Sequence, residues 1–490
     1  MRRFLAVAGV LVVIGAAGVT DALVSRGPVP GSNVQPAIAY AVSSGAAESS
    51  AWTCPGASGR SGPDPARVVM TNASGHALDA TITAVSSGGE RKSAPLSIPA
   101  GGQVAVVPAT MVQGAWVGAT VLIDGGGASV FDVAGSASAY SVAPCASTPS
   151  TNWYFAGGST SGGRSLDLAL MDPGDTSAVV DLSFSTGAGT TSPSSLQGIM
   201  VPAGALRVID LGRHLRGKRI IATSVTALSG TIVATETERS GPSGSVGMAM
   251  WLGATAPATS WSLPATTDAR GSLVSVDIYN PSRHAARVRL RAAAGLAGLA
   301  TFARTVPPRS VYRFVTTAEH AIAFDTPFSL EVLSTNGVGV VVERSVSANP
   351  AAPVPRYGAT SAMPLSANHW IVPAVTPPGD AAWSLTVSDL AGHAVTASVM
   401  ALDAVAGQAL LTPVPGLFRR TVTPSAALST VDMPGAPIGT QPLEVIASGP
   451  VAVALDVLPS GSPGVVTMPC FPTAQGFPTA QGFPASSGAG

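Results

Sequence analysis

One pattern of tryptophan, alternating apolar residues and a polar turn recurs four times along this chain of 490 residues. Each copy opens with a tryptophan and reaches an Asn or Asp about 20 residues later, after two apolar residues spaced by two. Such spacing predicts strands with one buried face, and Asn or Asp beside Pro, Gly or Ser is typical of a turn. The opening tryptophans are Trp52, Trp153, Trp261 and Trp370, and the turn residues are Asn72, Asp172, Asn280 and Asp389.

The length of each copy predicts a β-sandwich. A copy holds about seven short strands in about 85–95 residues, which is the size of an immunoglobulin-like sandwich. A single sheet of that size leaves an apolar face in water, so two packed sheets are favoured. The alternative is that four-stranded units close as blades of a propeller, although the repeat is roughly double the usual blade length. The predicted fold is all-β, with four tandem immunoglobulin-like β-sandwich domains.

The two ends of the chain differ from the repeats. Met1-Arg2-Arg3 precedes an apolar run from Phe4 to Val19, which is typical of an export signal. This run is either cleaved or retained as a signal anchor, and the absence of a clean cleavage site favours retention. The chain ends in repeats of Phe-Pro-Thr-Ala-Gln-Gly, whose regular Pro and Gly predict disorder.

These boundaries give the predicted organisation of the whole chain. It consists of a signal anchor or transmembrane helix at 1–25, a linker at 26–50, sandwich domains at 51–147, 148–258, 259–366 and 367–465, and a disordered tail at 466–490.

The low charge of the chain excludes one class of partner. Charged residues make up 11% of the sequence, the net charge is zero, and the only lysines are Lys92 and Lys218. A surface that binds nucleic acid needs a basic stripe to neutralise phosphates. We therefore expect no nucleic-acid partner.

Three cysteines are present. Cys54 and Cys145 flank the first copy, and the first and last strands of a sandwich can be neighbours, so a structural disulfide between them is favoured. The alternative is two separate buried thiols. A disulfide would persist outside the cytoplasm. Cys470 is then left over, either free or available for an intermolecular bond.

The sequence carries no recognisable catalytic or metal-binding motif. Gly157-Gly158 and Gly162-Gly163 are not followed by the Lys-Ser/Thr of a phosphate loop or by a helix, so a turn is favoured in this stretch. Glu236 and Glu238 alternate on one strand, and a solvated strand face is favoured over a catalytic carboxylate pair. We predict no catalytic residue, cofactor, metal ion or small-molecule substrate, and we expect that the protein is not an enzyme.

Glu-Arg-Ser closes the second and third copies, at Glu238-Arg239-Ser240 and Glu343-Arg344-Ser345. The two interpretations are a salt bridge at the strand end and stacking of the Arg on the opening tryptophan. Both interpretations are structural.

Several short motifs resemble a bacterial extracellular β-repeat of the form Trp-Tyr-x-Ala-Glu/Gly-Gly, Asn-Pro, Val-Pro-Ala and Glu-Arg. They stand here at 153–160, Asp172-Pro173, Pro202-Ala203 and Glu238-Arg239. With the N-terminal anchor and Cys54-Pro55-Gly56, the whole chain resembles the actinobacterial family DUF5719. The resemblance implies an uncharacterised protein, membrane-anchored or secreted and exposed in the cell envelope, and it supplies no catalytic residues.

Together these patterns predict a non-enzymatic structural or interaction protein of the cell envelope. We expect the N-terminal helix to hold it in the membrane as a single-pass protein with its bulk outside the cytoplasm; it would be secreted if the signal is cleaved. The expected partners are envelope proteins or glycans. The alternative function is an array of carbohydrate-binding modules acting on cell-wall glycans, because β-sandwiches in a glycan-rich compartment often have that role.

Overall fold

The computed structural model describes most of the chain from residue 38 to residue 474. The described residues are 38–58, 65–136, 139–241, 247–267, 272–293, 299–319, 321–322, 327–348, 357–363, 367–375, 381–389, 395–402, 419–422, 429–431, 441–459 and 466–474. They all belong to the unit Ala37–Gly490. The predicted anchor at 1–25 lies outside them. Within these ranges no helix is both long and apolar enough to span a bilayer.

The described chain is all-β, and its strands fall into four successive segments. Segment 1 (residues 49–144) contains β1 (Ser49–Ser58), β2 (Ala66–Asn72), β3 (Leu78–Ser86), β4 (Arg91–Ile98), β5 (Gln103–Val106), β6 (Trp116–Asp124), β7 (Ala128–Ser136) and β8 (Ala139–Pro144). Segment 2 (residues 152–252) contains β9 (Asn152–Phe155), β10 (Ser165–Met171), β11 (Ala178–Thr186), β12 (Gly189–Thr191), β13 (Ile199–Val201), β14 (Leu206–Asp210), β15 (Ile221–Ser229), β16 (Val233–Ser240) and β17 (Gly247–Leu252).

The other two segments follow directly. Segment 3 (residues 260–361) contains β18 (Ser260–Thr267), β19 (Ser272–Asn280), β20 (Ala286–Ala293), β21 (Leu299–Val306), β22 (Ser310–Val315), β23 (Pro327–Ser334), β24 (Val341–Ala348) and β25 (Tyr357–Ser361). Segment 4 (residues 367–472) contains β26 (Ala367–Val372), β27 (Ala381–Ser388), β28 (Ala397–Ala401), β29 (Arg419–Val422), β30 (Ser429–Val431), β31 (Leu443–Pro459), β32 (Val466–Pro469) and β33 (Phe471–Pro472). Short 3-10 helices lie at Pro108–Thr110, Ser194–Leu196, Leu211–Arg213 and Thr316–Ala318.

The four segments share one antiparallel strand order. In segment 1 the two sheets have the orders β1-β6-β3-β4 and β5-β2-β7-β8, and segment 3 repeats both orders as β18-β23-β20-β21 and β22-β19-β24-β25. In segment 2, β12 and β13 both pair with β11 and share the fourth position; in segment 4, the long β31 takes the sixth and seventh positions. Each segment therefore has eight strand positions where the pattern predicted about seven. It also builds two sheets, whereas a propeller blade has one.

Alternating burial explains why the two sheets of a segment share a core. On β20 the side chains of Arg287 and Arg289 are exposed, while those of Val288 and Leu290 point into the molecule. These two apolar residues belong to the same buried cluster as Ile278 of the other sheet. The period-2 pattern of the sequence therefore places one face of each strand in a sandwich-like core.

The four opening tryptophans occupy equivalent positions in the four segments. Each pairs with a valine on the neighbouring sixth strand and is 1% exposed or less. The pairs are Trp52 with Val121, Trp153 with Val225, Trp261 with Val332 and Trp370 with Val445. The indole N–H groups of the last three donate to the carbonyls of Ile232 (2.8 Å), Val340 (2.6 Å) and Val451 (3.1 Å). The repeat read from the sequence is therefore a repeat of three-dimensional position.

The eighth strands of the segments contact one another in a cycle. β8 contacts β17, β17 contacts β25, β25 contacts β32, and β32 contacts β8. Segment 4 therefore contacts segment 1 as well as segment 3, although the two are the farthest apart in the sequence.

Both ends of the described chain lie where segment 4 meets segment 1, and both differ from the sequence prediction. Ile38, Tyr40 and Val42, assigned to a linker at 26–50, are buried. Residues 466–474, assigned to a disordered tail at 466–490, instead form β32, β33 and a bridge between Val42 and Thr473. The composition of these stretches is typical of disorder, but distant strands supply hydrogen-bond partners that local composition does not reveal.

Candidate functional site

The most unusual feature of the structure is a cluster of buried charges between segments 2 and 3. It lies around the loop that follows β9, which contains Gly157, Gly158 and Ser159. The charged residues come from strands of both segments or from positions beside them: Arg164, Glu236 and Glu238 from segment 2, and Asp277, Arg313 and Glu343 from segment 3. We call these six residues the junction cluster.

Glu238 is the best satisfied carboxylate of the cluster. It is 1% exposed, and it accepts hydrogen bonds from the backbone N–H of Ser159 (2.7 Å) and from Arg164 Nη1 (3.1 Å). Arg164 also lies over the ring of Tyr357 from segment 3, 4.9 Å from its centre, and burial together with the Glu238 charge raises the pKa of that tyrosine. Glu238 therefore binds the loop after β9 in its own segment and lies near Tyr357 of the next segment.

Asp277 and Arg313 form a two-pronged ion pair within segment 3. Arg313 Nε and Nη2 each donate to one oxygen of Asp277, at 2.7 Å and 2.7 Å. Bidentate pairs of this kind are stronger and more directional than single hydrogen bonds. Arg313 Nη1 also donates to the backbone carbonyl of Arg219 in segment 2 (3.3 Å), so the pair extends across the junction.

Glu343 of segment 3 binds the loop after β9 of segment 2 directly. Its Oε2 accepts the backbone N–H of Gly157 at 2.6 Å. Burial raises the pKa of Glu343 to about 8, and the N–H groups of Ala156 and Gly157 oppose that rise only in part. The carboxyl group is therefore mostly protonated at neutral pH.

Glu236 lies beside Glu343 and is fully buried. Thr223 Oγ1 donates to its Oε1 at 2.6 Å. Burial raises the pKa of Glu236 well above its ordinary value, and the nearby Glu343 raises it further. Two adjacent buried carboxyl groups cannot both ionise cheaply, so protonation neutralises this part of the cluster.

The space left inside the cluster is too small for a substrate. The cavity at the junction has a volume of about 10 Å³, which is room for about one water molecule. Trp251 and Glu343 both line this cavity, and Glu236 Oε2 is buried near Glu343 without a hydrogen-bond partner among the described atoms. The arrangement can hold two segments together through buried charges and amide groups.

Glycine is required where the loop after β9 approaches the carboxylates of Asp277 and Glu343. A Cβ atom on Gly157 would lie 2.8 Å from Asp277 Oδ2 and 3.3 Å from Glu343 Oε2. Gly158 adopts a φ of 154°, which side chains rarely tolerate. The predicted turn lies at Gly162-Gly163, whereas Gly157-Gly158 belongs to an irregular loop that brings backbone N–H groups to buried acids.

The Glu-Arg pairs of segments 2 and 3 each contact two neighbouring segments. This is because the side chains of adjacent residues on a strand point to opposite faces of the sheet. Arg239 contacts Asp167 at 3.3 Å and lies 5.7 Å from the ring centre of Trp116 in segment 1. Arg344 contacts Asp456 (4.0 Å) and Thr467, both in segment 4. The predicted salt bridges are present, but the stacking partner of Arg239 is Trp116 and not an opening tryptophan.

The four turn residues are buried, and three of them, Asn72, Asp172 and Asn280, bond to the backbone of their turns. Asn72 Nδ2 donates to the carbonyls of His76 (2.8 Å) and Ile98 (3.1 Å). Asn280 Nδ2 makes the same kind of bonds to His284 (2.7 Å) and Val306 (3.0 Å). Asp172 accepts the N–H groups of Gly174 and Ala178, and Asp389 is 3% exposed. These side chains are structural and lie apart from the junction cluster.

The disulfide between Cys54 and Cys145 is confirmed, with the two Cα atoms 4.7 Å apart. Asp132 lies against it and accepts the N–H of Gly56 at 3.0 Å, and burial raises the pKa of Asp132 to about 7. The two sulfurs and this carboxylate lie within 4.8 Å of one another, but oxidised sulfurs are not the thiolates that bind metals. Cys470 is a free, buried thiol.

One sequence interpretation was wrong, and several cluster residues were missed. Glu236 and Glu238, expected on a solvated face, are 0% and 1% exposed because segment 3 covers them. Asp277, Arg313 and Arg164 were not singled out. The available signal was weak: in a chain with 11% charged residues, a charge between apolar neighbours on a strand, as at Asp277, is uncommon.

Comparisons with known proteins identify one family. The sequence model of a family of unknown function, DUF5719, matches residues 126–455. A search of curated proteins gave no match. The crystal structure of Thermotoga maritima 1070 is 18% identical and covers 22% of this chain and 93% of its own, with a TM-score of 0.20. A tetra-tandem repeat in the extending region of a large adhesion protein is 12% identical and covers 83% of this chain and 95% of its own, with a TM-score of 0.10. At these TM-scores neither structure informs the function of this chain.

Proposed function

Because this chain belongs to DUF5719, a family of unknown function, we propose its role from its own structure. The protein is a non-enzymatic scaffold of the cell envelope. Four tandem immunoglobulin-like sandwich domains, corresponding to segments 1 to 4, form a rigid body held to the membrane by the N-terminal apolar segment. The rigid body presents its outer surface to other envelope proteins.

One observation carries this proposal: the motifs that mark the repeat are used in contacts between segments. Glu343 binds the backbone N–H of Gly157 across the junction of segments 2 and 3, and Arg344 contacts segment 4. Arg239 reaches segment 1. Residues that hold domains in a fixed arrangement serve a scaffold, whereas domains that swing freely need no buried charges between them.

The chemistry of the junction cluster supports a non-enzymatic role. Its carboxylates are buried, and the cavity beside them has a volume of about 10 Å³. Paired carboxylates of glycosidases flank a space large enough for a sugar ring and a water. The buried acids here are better explained as structural groups.

The disulfide supports a location outside the cytoplasm. Disulfides persist in oxidising compartments and are rare in the cytosol. The bond joins Cys54 and Cys145, which are 91 residues apart and enclose nearly all of segment 1. We therefore place the folded part of the chain on the outer side of the membrane.

The glycan-binding alternative has less support. Sugar-binding platforms usually use exposed aromatic rings, and every aromatic side chain that the structure describes is buried or half-buried. The exposed large apolar side chains are aliphatic: Leu122, Met200, Leu228, Leu273 and Ile446.

Photo-crosslinking in intact cells tests the proposal. A photoreactive amino acid at Leu122 or Leu228, which are 52% and 62% exposed, is expected to capture discrete envelope proteins. The same reagent at Gly187, on a hairpin turn of segment 2, is the position control. Retention of the purified protein on wall polysaccharide, without protein adducts in cells, would instead support the carbohydrate-binding alternative.

A further inference from the structure

The C-terminal motif begins with a phenylalanine that is buried in the core of segment 1. Phe471 is 0% exposed and lies within 5.9 Å of the Tyr40 ring centre, 6.1 Å of Trp52 and 6.3 Å of Phe131. The first two contacts are edge-to-face, at interplanar angles of 85° and 72°. Aromatic pairs favour this geometry. The ring is therefore held by a specific pocket.

The backbone that follows Phe471 is held between strand β26 and the extended segment around Val42. Phe471 and Pro472 pair with Ile371 and Trp370 of β26. On the other side, Val42 N donates to the Pro472 carbonyl and Val42 O accepts the Ala474 N–H, both at 2.9 Å. Thr473 N donates to the His369 carbonyl at 3.1 Å. A peptide bound by main-chain bonds between strands, with one side chain in a pocket, is recognised by β-augmentation.

The site reads a sequence that the chain contains twice in full. Phe471-Pro472-Thr473-Ala474-Gln475-Gly476 is followed at once by Phe477-Pro478-Thr479-Ala480-Gln481-Gly482, and a degenerate third copy begins at Phe483-Pro484. Every group that the site contacts in the first copy, one phenyl ring and the backbone atoms of four residues, exists in the second. Proline has no N–H to donate, and the site uses only the carbonyl of Pro472.

We propose that the groove between residues 40–43 and β26 is a binding site for the peptide Phe-Pro-Thr-Ala, and that Phe477-Pro478-Thr479-Ala480 of the same chain can replace the first copy there. Replacement leaves a loop of six extra residues after Cys470. The entropic cost of closing a loop grows slowly with its length, and covalent attachment keeps the second copy at a high effective concentration. The repeat then supplies two interchangeable peptides for one site, which lies where segment 4 meets segment 1.

Substitution of the phenylalanines tests this proposal. In the full chain, Phe471→Ala is expected to lower Tm by less than half of the shift caused by Phe471→Ala/Phe477→Ala/Phe483→Ala, because the second copy takes the site. The matched control, Phe477→Ala/Phe483→Ala, leaves Tm unchanged because the first copy is intact. Equal Tm shifts for the single and triple variants would overturn the proposal.

Two further measurements separate the occupants. Millimolar peptide Phe-Pro-Thr-Ala-Gln-Gly is expected to raise the Tm of the triple variant, whereas Ala-Pro-Thr-Ala-Gln-Gly does not; no response to either peptide would contradict a motif-specific site. The Tm of Phe471→Ala is expected to stay constant over a tenfold dilution, and a fall on dilution would show that a second molecule supplies the tail. If Phe471→Ala does not fold, Phe471→Leu, alone and with the two tail substitutions, gives the same comparison.

Discussion

Single buried side chains fix the turns of this protein, and the Asn at the first turn is the clearest case. Asn280 uses its amide to satisfy carbonyls on both sides of the turn, while its Oδ1 accepts the N–H of Ser282 at 3.0 Å. Asn72 does the same in segment 1. The residue type was predictable because turn chemistry is local.

Asn280→Ala is expected to lower the free energy of unfolding by about 2–3 kcal/mol, because several buried carbonyls lose their donor. Chemical denaturation would measure the loss. His284→Ala is the matched control, since the side chain of His284 is exposed on the same turn and should change stability by less than about 0.5 kcal/mol. Similar losses for the two variants would show that the Asn amide is not the anchor.

The buried carboxyl groups give the protein a definite pH dependence. In the unfolded chain Glu343 titrates near its ordinary pKa of 4.5, and in the folded protein the pKa is raised to about 8. Between these values the folded state keeps a proton that the unfolded state has lost. The free energy of unfolding therefore falls as pH rises through this window, by up to about 1.4 kcal/mol per pH unit, and the contribution levels off above pH 8.

Glu343→Gln is expected to reduce this loss of stability between pH 5 and pH 8, because the amide cannot ionise. Glu236, with its raised pKa, and Asp132, whose pKa is about 7, would still contribute a fall of the same sign. Urea denaturation at several pH values measures the slope, and Glu48→Gln at an exposed carboxylate is the control. An unchanged slope in Glu343→Gln would mean that this group is ionised in the folded state.

At the scale of elements, one short loop connects segments 2 and 3. Backbone N–H groups of the loop after β9 donate hydrogen bonds to Glu238 of its own segment and to Glu343 of the next. This is possible because strands β16 and β24 carry their acids at the same position of a shared repeat, directly before Arg239 and Arg344. The element therefore has one function within its segment and a second between segments.

Gly157→Ala is expected to destabilise the protein by about 1–3 kcal/mol, because the new methyl group would press on buried carboxylates at 2.8 Å and 3.3 Å. Gly187→Ala in the same segment is the control, since no atom lies within 4 Å of its added Cβ. Thermal denaturation of both variants measures the difference. A loss in Gly157→Ala no larger than that of the control would show that the junction yields easily.

At the scale of the whole described chain, segment 1 contains the disulfide and also completes the cycle of contacts between segments. Its edge strand β8 contacts both β17 and β32, and Phe471 of segment 4 enters its core. The disulfide ties the middle of β1 to the residue that follows β8. Segment 1 is therefore the point where the cycle of contacts closes.

Cys54→Ala/Cys145→Ala is expected to lower the free energy of unfolding by about 4–5 kcal/mol, the chain-entropy estimate for a bond that closes a loop of this length. Reducing agent should lower the stability of the wild-type protein to that of the variant and leave the variant unchanged. Non-reducing peptide mapping should recover Cys54 and Cys145 as one linked species. A species linked through Cys470 would contradict the structure, in which that thiol is free and buried.

Besides favouring the disulfide, the sequence by itself determined the strands, the turns and the equivalence of the four tryptophans. These follow from local rules: alternation places residues on faces, Asn and Asp make turns, and a repeated register demands a repeated fold. Only the tertiary structure decided which charges are buried and how the ends are used. Glu343 and Gly157 are 186 residues apart, and a carboxylate on a strand has the same sequence pattern whether water or another segment covers it.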